Sequence, residues 1–147
     1  MRRLRKGRKY SKFEWQEAPD IKARVLRLME NLDLDYVLGE RLFFYRSAGS
    51  KSRAYARTWG LPKIWQNALQ VEPAYIIEVI SRYFDNLSQK DQDKVLLHEI
   101  GHIPKNFSGA LLPHTRHGKG NFRGKVDELI QRYFENLSGK GSSDTDT

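Results

Sequence analysis

The chain has 147 residues, enough for one domain with a self-sufficient hydrophobic core. It has no cysteine, which excludes disulfides, iron–sulfur clusters and thiolate zinc ribbons, so any metal must be held by nitrogen and oxygen. The net charge of +8 is unevenly placed: residues 1–12 hold seven basic side chains and no acid, and setting these aside leaves nineteen basic groups against eighteen acidic.

The first element in chain order is therefore a basic N-terminal arm, residues 1–17. Its Arg2, Arg3, Arg5, Lys6, Arg8 and Lys9 are candidates for neutralising nucleic-acid phosphates or an acidic membrane surface; the plainer reading is a solvated end. No apolar segment of signal-peptide type follows the arm. No apolar run approaches the ~20 residues of a membrane span, so a soluble, cytoplasmic protein is expected. Residues 18–138 read as the folded domain and 139–147 as a disordered polar tail.

Within the domain, "APDIKARVLRLMENLDL" spaces Ile21, Val25, Leu28, Met29 and Leu32 at helical intervals, which predicts a helix over 20–32 started by Pro19 and Asp20. Residues 36–47, 53–62 and 74–80 are rich in branched and aromatic side chains and read as three strands. Ser88, with Asp91 three positions on, predicts the N-cap of a second helix that Pro104 limits. A Gly- and Pro-containing loop follows, then an amphipathic helix over 122–137 that Ser138-Gly139 should end. "RYFDNLS" and "RYFENLS", fifty residues apart, read as two similar helix ends. The order gives an α+β domain with a small three-stranded sheet and a C-terminal helix.

All four histidines of the chain, His98, His102, His114 and His117, lie within one short stretch. The first two belong to "HEIGH". On a helix, positions i and i+4 share a face about 5–6 Å apart, so His98 and His102 can bind one ion. Glu99 sits beside the first ligand without occupying a coordination position, the place of a general base for a metal-activated water. Catalytic zinc usually takes three protein ligands. His114 is the first choice for the third and His117 the alternative, since "FSGALLP" has the glycine and proline that a reversing loop needs. Glu128 ranks lower as a carboxylate ligand. Arg116 and Tyr133 are further groups able to polarise a carbonyl.

"RSAGSKSRAYARTWGLPKIWQ", "YIIEVISRYFD" and "HEIGHIPKNFSGALLPH" together resemble a family of small archaeal metallopeptidases akin to the phage metallopeptidases, over roughly residues 20–137. A weaker similarity is to the SprT-like DNA-associated proteases. The resemblance implies a minimal zincin-like domain with an active-site helix, His98, His102 and His114 as zinc ligands, Glu99 as catalytic base, and a peptide or protein substrate. Two other functions stay open. One is a metalloprotease acting on nucleic-acid-bound proteins, which the arm and the basic, aromatic segment 46–65 (Arg46, Lys51, Arg53, Arg57, Lys63 with Tyr55, Trp59, Trp65) would suit. The other is a non-enzymatic nucleic-acid-binding module whose four histidines close around a structural metal.

Overall fold

The structure, a computed structural model, describes residues 12–114 and 122–143. Its elements are β1 (Glu14–Glu17), α1 (Pro19–Asn31), β2 (Leu42–Ala48), β3 (Ala56–Gly60), α2 (Lys63–Leu69), β4 (Tyr75–Ile80), α3 (Ser81–Phe84), α4 (Gln89–Gly101) and α5 (Phe122–Ser143). The α+β expectation stands, but the sheet has four strands in the order β1-β2-β4-β3. The added strand, β1, falls within residues 1–17, the span that reads as the arm. All four of its residues are exposed, so no alternation of apolar side chains announces it; antiparallel pairing with β2 holds it. β2 and β4 are parallel, and β3 returns antiparallel to β4.

Strand alternation divides the sheet into two faces. Leu42, Phe44, Ala56, Tyr75, Ile77 and Val79 point into the core. Against them α1 buries Ile21, Val25, Leu28 and Met29, and α4 buries Leu96, Leu97 and Ile100. Each such side chain is worth roughly 1.5–3 kcal/mol of hydrophobic burial. Arg24 of α1 ties the two helices together, with Nη2 2.6 Å from Asp93 Oδ1.

Several features differ from expectation, and β3 (Ala56–Gly60) is shorter than the strand expected over 53–62. β2 begins only at Leu42, because "YVLGER" is taken up by turns and a single 3-10 turn over Gly39–Arg41. α2 was not anticipated; it buries only Gln66 and leaves Ile64, Trp65 and Leu69 exposed, so its apolar spacing does not mark a core. α5 runs through Ser138-Gly139 to Ser143, so the polar tail begins later than its composition suggests. Glycine permits a left-handed helix end but does not impose one. No helix of the described residues is long and apolar enough to cross a membrane.

Candidate metal centre

α4 starts as its sequence predicts: Ser88 Oγ accepts from the Asp91 amide at 3.1 Å. Its last turn carries His98 and Glu99, and His102 is the C-cap residue. His98 is half-buried, while Glu99 and His102 are buried. The i, i+4 pair therefore stays on one face although the helix ends at Gly101.

The third histidine arrives on the segment 103–114, which is fastened at several points. Phe107 takes a left-handed conformation (φ 47°) and buries its ring edge-on against Tyr75, 4.8 Å between centroids. The Tyr75 hydroxyl accepts from Gly109 N at 2.7 Å and donates to Ala110 O at 2.8 Å. Gln66 Nε2 donates to Ser108 O at 2.9 Å and to Leu61 O at 2.7 Å. Gly109, at φ 95°, supplies the reversal expected of "FSGALLP". It also lies so close to Gly60 that a Cβ on Gly60 would sit 2.1 Å from its carbonyl oxygen. Finally Leu112 is paired twice with His102: its amide donates to His102 O at 2.8 Å, and its carbonyl oxygen lies 2.7 Å from His102 Nδ1.

That second contact fixes a tautomer. A carbonyl can only accept, so Nδ1 carries the hydrogen and Nε2 keeps a free lone pair, the arrangement by which an outer hydrogen bond orients a metal-ligating imidazole. His98 Nε2 and His114 Nε2 are 3.0 Å apart, and the ligand atoms of His98, His102 and His114 lie within 4.8 Å of one another. These three residues form a triad that could hold a metal ion. Phe122 of α5 closes one side, stacked on the His102 ring at 4.1 Å and 17°. Gly101 permits that approach, since a Cβ there would come within 2.6 Å of Val126 Cγ2 and 3.3 Å of Phe122 Cε2.

Glu99 Oε2 accepts from Thr58 Oγ1 at 2.7 Å, across from β3. Burial pushes the Glu99 carboxyl up to about 7, with the Thr58 hydrogen bond pulling the other way. Burial lowers His98 to about 4, helped by the neighbouring His102 and His114; it also lowers His102. Neutral imidazoles beside a carboxyl close to neutrality suit metal ligation and proton transfer. His98, Glu99, His114 and Phe122 line one open cleft of about 990 Å³, whose walls include the apolar Val95, Val126 and Ile130.

Of the residues singled out from sequence, His98, Glu99, His102 and His114 come together, while His117, Arg116 and the six cations of the arm lie outside the described residues. Glu128 is exposed and is not part of the triad, and the Tyr133 hydroxyl donates instead to Asp93 at 3.3 Å. The basic, aromatic segment is split by the fold: Tyr55 lines the cleft, Arg57 and Trp59 lie on the far face of the sheet, and Trp65 is on α2. Thr58, Tyr75, Gln66 and Phe122 carried no signal of their own in the sequence.

A two-layer α+β domain with a histidine triad at the end of a helix is a metal-binding architecture by its donors alone. The chain belongs to the family described as "putative phage metallopeptidase", whose model matches residues 13–137. No curated protein and no solved structure shows significant similarity to it. The matched span opens one residue before β1, so the fourth strand lies within it. Membership points to a hydrolase with a metal cofactor and a peptide or protein substrate.

Proposed function

We propose that the protein is a zinc-dependent peptidase in which His98, His102 and His114 hold the ion and Glu99 is the general base. The observation that carries this reading is the convergence of three imidazoles, two of which, His98 and His114, line an open cleft together with the buried Glu99. The donor set fits the metal: tetrahedral zinc at 2.0–2.1 Å from nitrogen sets its ligand atoms ~3.3 Å apart, and two of the three already stand 3.0 Å apart. All-nitrogen ligation without thiolates suits zinc among the available divalent ions.

Bound there, zinc supplies a Lewis acid and lowers the pKa of water towards ~7. Glu99 takes the proton from the attacking water and returns it to the departing amine. Thr58 holds Oε2, which leaves Oε1 as the proton-carrying atom. The Leu112 carbonyl and the Phe122 ring keep the His102 imidazole from turning. The cleft walls from Val95, Val126 and Ile130 exclude water from one side of the scissile bond and receive an apolar side chain of the substrate.

The test is Glu99→Gln. Zinc content of the purified variant stays at the parent level, while cleavage of a denatured protein falls by roughly 10²–10⁴, the usual worth of a general base. A Gln variant that cleaves as fast as the parent removes this mechanism.

A further inference from the structure

We infer that the outer face of the sheet is a second functional surface, a stacking platform for single-stranded nucleic acid. The alternation that sends Phe44 and Ile77 into the core sends Trp15, Phe43, Tyr45, Ile76 and Trp59 to the opposite face. Trp15 is 58% exposed, Trp59 45% and Phe43 44%. An exposed aromatic face on a small domain is a liability unless it binds something.

The rings are also held in place. At the centre of this face lies Glu78, only 1% exposed. Its carboxylate accepts from Trp59 Nε1 at 2.8 Å and Trp15 Nε1 at 3.4 Å, and from Arg57 Nε and Nη2 at 2.7 and 3.2 Å. Arg57 in turn lies over the Trp59 ring, 4.9 Å from its centroid. Trp15, Tyr45, Trp59, Ile76 and Glu78 thus frame a shallow hollow of about 350 Å³. Two indoles from opposite edges of the sheet are fixed by one buried carboxylate, so little side-chain freedom remains to be lost when a flat ligand stacks on them.

Charge selects the occupant. The seven cations of residues 1–12 run directly into the strand that carries Trp15, with only Phe13 and Glu14 between. Against them on β1 stand only Glu14 and Glu17, because Glu78 is paired with Arg57. Cations that track phosphates beside aromatic rings that stack bases are the combination by which single strands are bound without sequence preference. A duplex hides its base faces. A second copy of this chain would set two chains of net charge +8 against each other. The platform lies on the opposite face from His98, His102 and His114 and does not depend on the peptidase reading.

The experiment is fluorescence anisotropy of the full chain with a labelled oligothymidylate about fifteen nucleotides long, titrated at several salt concentrations. The parent binds it at low salt and binds a duplex of equal length at least tenfold more weakly. Trp15→Ala and Phe43→Ala each weaken binding by roughly tenfold, Trp15→Phe restores most of it, and zinc content and thermal unfolding stay at parent values. Glutamine at Arg2, Arg3, Arg5, Lys6, Arg8 and Lys9 lowers the salt slope by up to roughly four, about 0.7 per phosphate contact. Three results overturn the inference: no binding at low salt, equal binding of duplex, or aromatic variants that bind like the parent. A parent that sediments as a dimer which Trp15→Ala dissociates also overturns it, by making the face a contact between copies.

Discussion

Replacing Thr58 with valine removes one hydroxyl and keeps the shape of the side chain. That hydroxyl has one hydrogen and two acceptors near it, Glu99 Oε2 at 2.7 Å and the Glu99 carbonyl at 3.1 Å; the shorter contact, to the carboxylate, is the stronger. The carbonyl is not orphaned by the change, since the His102 amide also donates to it at 3.1 Å. A hydrogen bond to a charged group is worth about 1.5–3 kcal/mol, or roughly 10- to 150-fold in rate if it is needed to aim the base. Valine keeps the packing around the carboxyl in place, which favours the lower end of that range. The assay is steady-state cleavage of a quenched fluorescent peptide, with zinc content and unfolding temperature measured on the same preparations. Thr58→Val lowers kcat about tenfold, leaves KM and zinc content unchanged, and Thr58→Ser recovers the rate. If the valine variant turns over within twofold of the parent while Glu99→Gln is inactive, Glu99 does not need Thr58 to aim it. If both variants match the parent, the general-base mechanism itself is at fault.

Three further outcomes follow from the same contacts. His98→Ala, His102→Ala and His114→Ala each abolish stoichiometric zinc retention in elemental analysis and His117→Ala does not; loss of zinc in the last variant would make the site a closed, four-ligand one. Tyr75→Phe removes both hydrogen bonds that seat Gly109 and Ala110, at a cost of about 1–3 kcal/mol, so zinc affinity measured by chelator competition falls together with the unfolding temperature; unchanged affinity would mean that His114 is placed without them. Burial alone would raise the Glu78 carboxyl, but hydrogen bonds from Arg57 and Trp59 outweigh it and hold the folded value below the ordinary 4.5. Glu78 therefore stabilises the fold above the unfolded pKa, and that contribution is lost as pH falls through the folded value. Arg57→Met lets burial dominate. The folded value then rises above the unfolded one and the linkage changes sign. Urea unfolding shows neutral-pH stability lower by about 1–3 kcal/mol, less than for a fully buried pair because the Arg57 side chain is 37% exposed. Part of that deficit is recovered as pH falls and Glu78 takes up its proton, so the acid loss is shallower than the parent's. An acid limb as steep as the parent's would refute that account.

What could be read from the sequence was what local chemistry dictates. His98, Glu99 and His102 are legible because a helix fixes the i, i+4 relation, and Ser88 because a cap is a contact three residues long. His114 was a choice between two; what settles its position is a series of contacts from Tyr75, Gln66 and Phe107, all non-local and none implied by spacing. The paired heptapeptides show the same limit. "RYFDNLS" closes α3 and delivers Ser88 as a cap, whereas "RYFENLS" lies inside α5. One carboxylate separates them: glutamate tolerates a helix interior better than aspartate, whose side chain competes for nearby backbone groups. β1 escapes a sequence reading because none of its side chains is buried: it is held by backbone pairing with β2 and by one non-local side-chain contact, Trp15 to Glu78.

The two surfaces meet in β3, where three consecutive residues alternate between them. Arg57 and Trp59 reach the Glu78 carboxylate on the outer face, and Thr58 between them reaches Glu99 on the inner. A strand has a period of two, so a one-residue slip of β3 would exchange the faces and ruin both at once. Gly60 guards against that slip: only a residue without a Cβ fits where β3 ends against the Gly109 carbonyl, and the same contact seats the segment that delivers His114. Damage at Gly60 should therefore cost the metal centre and the aromatic face together. Trp15 and Phe43, on β1 and β2, can be altered without touching the histidines, and this is why they and not Trp59 distinguish a binding platform from mere support of the cleft behind it.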